Sequence, residues 1–244
     1  YPANMLGYYT RGKEFPLTVT GNIDSTIQAV MFPAYSKMQD NRPAVKQIMR
    51  RALTTSAFLV FPAMAGLAAV AEPLVVVLLT DKWLMSVPFL QIFCVVYALW
   101  PIHTVNLQAI NALGRSDVFL RLEIVKKIVG VSILAITIPF GIYAIALGSI
   151  VGGVFGTIIN AYPNKELLDY RFTEQLKDLT PSLTLSIIMF VCIYGMSFLG
   201  LPALTTLLVQ IIAGIAIYIG LAWLLKLEPL RYLIATMSEY IHNG

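Results

Sequence analysis

The chain has 244 residues, of which 58% are hydrophobic and only 12% are charged, and its formal net charge is +4. A soluble globular domain carries about 25% charged residues, so this composition excludes an ordinary soluble fold. The small positive charge does not indicate a nucleic-acid partner either, because the basic residues lie in the gaps between long apolar runs, as orientation in a membrane requires.

Four uncharged runs, at 52–71, 83–114, 128–164 and 179–225, are each long enough to cross a bilayer, which takes about 20 apolar residues. Turn sequences at 139–141 and 200–202 divide the two longest runs. The pattern predicts an all-α membrane bundle of seven transmembrane helices, at about 15–36, 48–79, 83–113, 118–138, 141–162, 181–199 and 202–225.

Prolines and charges mark the less regular parts of these helices. The second helix contains Pro62 and Pro73, which predict a kink or a break because proline removes a backbone donor. A short interfacial piece is expected over 74–79. Apolar residues at helical spacing over 163–180 and 228–242 predict two amphipathic helices on the membrane surface.

Basic residues alternate between the two sides of the predicted bundle. Of the 17 Lys and Arg residues, all but Arg11, Lys13 and Lys82 lie in alternate gaps or in the C-terminal tail. The positive-inside rule places these basic gaps in the cytoplasm. Seven crossings that start outside the cell, in a chain that opens on Tyr1, predict a preceding N-terminal part.

The third helix carries a polar stripe. Thr104, Gln108, Asn111 and Arg115 fall within about 60° of one another on a helix, and Tyr97 lies on the same line two turns earlier. Polar residues on a membrane helix face protein or water. The stripe therefore either supplies hydrogen bonds between helices or lines a hydrated substrate cavity. His103 and Asn106 lie off the stripe and are expected to make helix contacts.

Three further residues are candidates for transport chemistry. Asp24 is the acid deepest within a predicted crossing, which makes it a candidate for binding a coupling proton or sodium ion, with a structural hydrogen bond as the alternative. Arg121 and Lys126 open the fourth helix and either reach towards the cytoplasm or hold an anionic head group. Glycines at 148, 152, 153 and 156 indicate close helix packing.

The sequence contains no arrangement of residues typical of catalysis. The two cysteines lie in apolar runs and the two histidines are far apart, so neither a metal site nor a cofactor is expected. The outward gaps are too short to hold an active site, and the chain is not expected to be an enzyme.

Several segments resemble the polysaccharide flippases, the oligosaccharide and lipopolysaccharide exporters of the multidrug/oligosaccharidyl-lipid/polysaccharide superfamily. They are Leu6-Gly7-Tyr8-Tyr9-Thr10-Arg11, Val30-Met31-Phe32-Pro33-Ala34-Tyr35-Ser36-Lys37-Met38-Gln39-Asp40, Phe61-Pro62-Ala63-Met64-Ala65-Gly66-Leu67, Asp81-Lys82-Trp83 and Ala112-Leu113-Gly114-Arg115. The resemblance covers most of 1–165, and beyond that only the hydropathy pattern matches.

The resemblance implies the C-terminal lobe of a two-lobed transporter of about 14 crossings. Such proteins move undecaprenyl-pyrophosphate-linked sugar units across the inner membrane by alternating access, so the expected partners are a lipid-linked oligosaccharide, the bilayer and the missing N-terminal lobe. The implied organisation is lobe core helices over 1–165, a cytoplasmic amphipathic linker over 166–180, two crossings over 181–226 and a cytoplasmic tail over 227–244. A drug/cation antiporter of the same superfamily is the alternative, and a membrane-embedded polysaccharide polymerase is a more distant one.

Overall fold

A computed structural model describes residues 3–38 and 41–243, so Gln39 and Asp40 lie outside the described residues. The described chain is helical and contains no strand, which confirms the predicted all-α fold. Its α-helices are α1 Ala3–Lys37, α2 Arg42–Ala69, α3 Ala71–Leu79, α4 Val87–Ala98, α5 Trp100–Ala112, α6 Ser116–Thr137, α7 Ile142–Ala161, α8 Asn164–Leu168, α9 Phe172–Gly195, α10 Ala203–Leu224 and α11 Glu228–Asn243.

The seven predicted crossings correspond to α1, α2, α4 with α5, α6, α7, α9 and α10. Within the described residues, five spans are long and apolar enough to cross a membrane: Arg42–Ala69, Asp81–Ala112, Ile142–Leu168, Phe172–Leu199 and Ala203–Leu224. Helices α1 and α6 are long enough but contain more charged residues. The predicted membrane bundle is therefore confirmed, with two of its helices more polar than the rest.

The second and third predicted helices are each broken. The break in the second lies at Val70, close to Pro73, and α3 contains the short piece expected over 74–79, whereas the break in the third was not predicted. Helix α2 continues through Pro62 and ends at Ala69, and Pro73 lies in the first turn of α3, where the missing backbone donor costs little. The third predicted helix bends at Leu99, just before Pro101 in the first turn of α5. Residues 83–113 therefore form two helices preceded by a short 3-10 turn.

The amphipathic surface helix predicted over 163–180 is wrong. Helix α8 ends at Leu168, and the left-handed backbone of the next residue, Asp169 (φ 49°), turns the chain. Helix α9 then runs without a break from Phe172 to Gly195. Leu168 and Leu179 are buried in the protein core. Helix α11 is amphipathic as predicted, although the side chains beyond residue 235 lie outside the description.

Helix α2 lies at the centre of the bundle, where it packs against α1, α4, α5 and α9. In contrast, α6 has no buried residue and packs mainly on α7. The glycines of α7 permit close packing on two helices: a Cβ at Gly148 would lie 2.9 Å from Thr137 on α6, and one at Gly156 would lie 2.6 Å from His103 on α5. The glycine pattern is thus a packing feature, as predicted.

Contacts between distant basic segments place them at one end of the bundle. Lys46 on α2 lies 3.7 Å from Glu174 on α9, and Arg50 lies 2.5 Å from Asp178. Leu113, at the end of α5, packs on the buried cluster that includes Tyr170. The segments that precede α2, follow α5 and precede α9 therefore share one end, which we name the basic end.

Candidate functional site

Helices α1 and α5 are joined by a chain of polar side chains. Gln28 donates from Nε2 to Asp24 Oδ2 at 2.5 Å, and Trp100 Nε1 donates to the same oxygen at 3.3 Å. Gln108 Nε2 in turn donates to Gln28 Oε1 at 2.9 Å. We name these four residues the α1–α5 cluster. Its hydrogen bonds orient a single carboxylate between two helices.

The helical repeat explains how the cluster forms. Asp24 and Gln28 are four residues apart and therefore lie on one face of α1. Trp100 and Gln108 are two turns apart on α5, with Thr104 between them. The bend at Leu99 makes Trp100 the first residue of α5, so the same bend that breaks the third predicted helix begins the face that meets Asp24.

A small cavity of about 10 Å³ lies beside the cluster and is lined by Asp24, Gln28, Thr104 and Gln108, among others. Tyr35 also lines it, and its buried hydroxyl has no hydrogen-bond partner among the described residues. A volume of this size holds about one water molecule. In this conformation the cavity can therefore hydrate the cluster but cannot admit a sugar.

The face of α1 that does not pack against the other helices is polar and exposed. It is formed by residues at three- and four-residue steps: Thr10, Arg11, Glu14, Thr18, Gly21, Asn22, Ser25 and Thr26. By contrast, the exposed faces of α6 and α10 carry apolar side chains such as Ile128, Val131, Ile212 and Ile215. The α1 face is therefore suited to water or protein, and the α6 and α10 faces are suited to lipid.

Only some residues of the polar stripe predicted on the third helix lie close together in the structure. Thr104 and Gln108 line the cavity, and Asn111 is exposed further along α5. Tyr97 belongs to α4 and is buried, with its ring 5.5 Å from that of Trp100. Arg115 lies beyond the end of α5 and forms two 2.9 Å hydrogen bonds with Asp117.

The two basic candidates on α6 lie apart from the α1–α5 cluster. Arg121 is exposed, and Lys126 pairs with Glu123 at 2.5 Å on its own helix. Neither side chain has a described hydrogen bond to α1 or α5. Among the described residues, no group of three His, Cys, Asp or Glu side chains could hold a metal ion.

His103 and Asn106 make helix contacts, as predicted. His103 lies 3.1 Å from Gly153 O, Thr157 Oγ1 and Asn160 Nδ2 on α7. Asn106 exchanges hydrogen bonds with the buried side chain of Gln175 on α9, at 2.9 and 3.0 Å. These bonds hold α5 against α7 and α9, and so fix the face of α5 that carries Thr104 and Gln108.

Sequence reasoning missed Trp100 as a partner of Asp24. A tryptophan within an apolar run is usually interpreted as a core residue or as an interfacial anchor. Its Nε1 points towards α1 only because the chain bends at Leu99. The signal that was available is Gln28, which lies one helical turn from the single acid in this part of α1.

Single cysteines test which face of α5 is hydrated. We expect cysteines at positions 104, 108 and 111 to react with a small water-soluble thiol reagent, whereas cysteines at 102 and 110 stay unreactive because Ile102 and Ile110 are buried. The measurement is the labelled fraction in a background without Cys94 and Cys192. Equal labelling at all five positions would contradict a hydrated face.

Comparison with known proteins identifies the relatives of this chain. A family described as "Polysaccharide biosynthesis protein" matches residues 1–88. The chain is 27% identical over 166 residues to an uncharacterized membrane protein in the cps region of Klebsiella pneumoniae, covering 66% of this chain and 34% of that protein. It is 26% identical over 158 residues to the lipopolysaccharide biosynthesis protein WzxC of Escherichia coli, covering 65% and 32%.

The longest match is to the teichuronic acid biosynthesis protein TuaB of Bacillus subtilis, with 24% identity over 99% of this chain and 50% of that protein. The chain thus spans at most half the length of these relatives.

A solved structure of the lipid II flippase MurJ, in an inward closed conformation, superposes with a TM-score of 0.78 over 96% of this chain and 49% of that protein. At 20% identity, that likeness shows the fold. Sequence and fold together show that this multi-pass protein of the bacterial inner membrane is similar to polysaccharide biosynthesis proteins, and that its fold resembles one half of a flippase.

Proposed function

We propose that this chain is one lobe of a transporter that flips lipid-linked oligosaccharides, such as undecaprenyl-pyrophosphate sugar units, across the inner membrane by alternating access. The observation that carries the proposal is the exposed polar face of α1. A flippase needs a hydrated path for the sugar at membrane depth, and this face is the part of the described surface best suited to line it.

The depth of this face follows from a contact of Asp24, which lies on α1 between Asn22 and Ser25 of the face. Asp24 bonds to Trp100, which lies near the middle of the membrane span Asp81–Ala112. Polar groups at that depth are costly to expose to lipid. The α1 face therefore requires either water or another protein surface, and a central transport cavity provides both.

A second lobe completes the proposed site. Alternating access takes two bundles that move about a site between them, and TuaB, which this chain matches along nearly its whole length, is about twice as long. We propose that the second lobe faces the polar side of α1, so that the sugar passes between the lobes.

The proposed activity is transport without a chemical step. The likeness of the fold to that of a flippase supports this, and the neighbours of Asp24 in the α1–α5 cluster are amides and an indole, which orient its carboxylate. Hydrogen-bonded amides of this kind can contact sugar hydroxyls.

A second candidate is a drug/cation antiporter of the same superfamily. Asp24 favours it, because a carboxylate held at membrane depth can bind a proton or a cation. The two candidates differ in the groups they need: an antiporter depends on Asp24 alone, whereas a flippase for a pyrophosphate-linked sugar also depends on basic residues such as Arg115, Arg121 or Lys126.

We further propose that the basic end faces the cytoplasm, on the positive-inside rule. The contacts of Lys46 with α9 and of Arg50 with Asp178 support the grouping of these segments on one side. In this arrangement residues 1–165 form the lobe core, α9 and α10 supply two further crossings, and 227–244 form a cytoplasmic tail.

Deletion of the gene that encodes this chain tests the proposal. We expect surface polysaccharide to be lost. The lipid-linked oligosaccharide should accumulate in the cytoplasmic leaflet of the inner membrane, since its synthesis continues without export. Restoration by the complete gene is the control. Normal surface polysaccharide in the deletion strain, together with raised drug sensitivity, would favour the antiporter.

A further inference from the structure

A cavity of about 420 Å³ opens at the basic end, between α2, α9 and the start of α11. It is separate from the α1–α5 cluster and shares no lining residue with the cavity beside Asp24. Sites for small ligands have volumes of about 300–1,000 Å³. Three cations, Arg50, Arg51 and Lys177, and two acids, Asp178 and Glu228, line this cavity.

Asp178 is already satisfied by its neighbours. Its Oδ1 accepts from Arg50 Nη2 at 2.5 Å, and its Oδ2 accepts from the Tyr170 hydroxyl at 2.6 Å. Burial, together with the hydrogen bond to Asp178, raises the pKa of Tyr170, so the phenol keeps its proton and remains a donor. The carboxylate of Asp178 therefore offers little repulsion to a further anion, because its charge is balanced by Arg50.

Arg51 and Lys177 have no described carboxylate partner within salt-bridge distance, while Arg50 has one. The guanidinium of Arg51 lies over the ring of Tyr232 at 5.1 Å. Stacking of this kind positions an arginine without using its N–H donors. After Arg50 and Asp178 are paired, two cations face one remaining acid, Glu228, so the cavity keeps a net positive charge.

The chemistry of these groups matches a phosphate. An arginine presents a planar fork of donors and a lysine presents a compact charge, and both bind phosphate oxygens by charge-assisted hydrogen bonds. Acidic ligands such as carboxylates would also be attracted, but a tetrahedral phosphate can accept from two cations approaching from different helices.

The position of the cavity indicates where such a phosphate would come from. The amphipathic helix α11 begins at the cavity mouth, with Leu230 and Leu233 packed on the bundle and Ile234 55% exposed. Helices of this type lie at the level of lipid head groups. A phosphate carried by a lipid would therefore reach Arg51 and Lys177 from the membrane surface.

We propose that this cavity binds a phosphate ester, with Arg51 and Lys177 as its principal donors, and that the head group of an anionic lipid supplies it. The site lies outside the transport path proposed above and does not depend on it. Bound there, a lipid would contact α2, α9 and α11 together and hold the tail helix on the bundle.

The test measures lipid binding to the complete protein in detergent by native mass spectrometry, with phosphatidylglycerol as the probe and phosphatidylcholine as the uncharged comparison. We expect Arg51→Gln with Lys177→Gln to weaken phosphatidylglycerol binding at least about tenfold, because one charge-assisted bond alone is worth about that factor, and to leave phosphatidylcholine binding unchanged. Lys165→Gln with Lys226→Gln is the matched control, because it removes the same charge from exposed positions outside the cavity.

A soluble arm identifies the source of the phosphate. Glycerol phosphate that competes only weakly with phosphatidylglycerol supports a lipid head group, whereas competition at equal affinity supports a soluble phosphate ester at the same site. The single variant Lys177→Gln, at an exposed position, repeats the measurement with little risk to folding. Equal losses in the cavity and control variants, or no loss in either, would overturn the proposal.

Discussion

Replacing Gly12 with alanine is expected to destabilise the bundle by about 1–3 kcal/mol, the usual cost of overpacking a core. The added Cβ would lie 2.6 Å from Phe89 Cβ, 2.7 Å from Leu90 N and 2.9 Å from Ser86 O. Two of these atoms belong to the backbone at the start of α4, so no side-chain rotation can relieve the contact. Helices α1 and α4 must separate.

The measurement for this variant is thermal unfolding in detergent. Gly21→Ala on the same helix is the matched control, because nothing lies within 4 Å of its added Cβ. Alanine is favoured over glycine within a helix by about 0.5–1 kcal/mol, so this control should be slightly more stable than the parent. Similar melting temperatures for both variants would show that α1 and α4 do not approach as described.

Replacing Asp24 with asparagine is expected to lower transport about tenfold while leaving folding intact, since charged groups at membrane depth are functional by default. Asparagine keeps an oxygen that can accept from Gln28 and Trp100, so the α1–α5 cluster should persist. What it loses is the negative charge that would bind a coupling proton or cation.

Transport by the Asp24→Asn variant is measured as surface polysaccharide per amount of membrane protein. Glu72→Gln is the control, because Glu72 is an exposed acid on α3, away from the cluster. Transport by the variant at the rate of the parent protein would show that the charge of Asp24 is not needed for transport and that its role is structural. Parallel losses of flux and of protein level would show instead that the charge is needed for folding.

The sequence predicts the number and order of the membrane helices well, because long uncharged runs have few alternatives in a bilayer. It does not settle where the bend lies, because Pro101 can kink a helix, yet Pro62 lies within the unbroken helix α2. The run 83–114 is also apolar on both sides of Leu99. Tyr97 was assigned to the same stripe as Thr104 for that reason. Because of the bend, Tyr97 belongs to α4 and is buried.

The start of α9 was predicted too late for a different reason. Apolar residues at helical spacing over 163–180 predicted a surface helix, yet Gln175 is fully buried and is bonded to Asn106. Such pairings between distant residues leave no periodic signal in the sequence. The polar residues of α5 and Asp24 could be identified as candidates from their depth, whereas their arrangement into one cluster required the packing of α1 on α5.

The most direct test of the central claim is reconstitution of the complete protein in liposomes that carry a fluorescent lipid-linked oligosaccharide. A membrane-impermeant glycosidase outside the liposomes reports each sugar that reaches the outer leaflet. We expect the protein to speed the loss of protected sugar at least about tenfold over protein-free liposomes, the effect of lowering the barrier by about 1.4 kcal/mol. A protected fraction that decays at the protein-free rate would contradict the assignment of this lobe to a flippase.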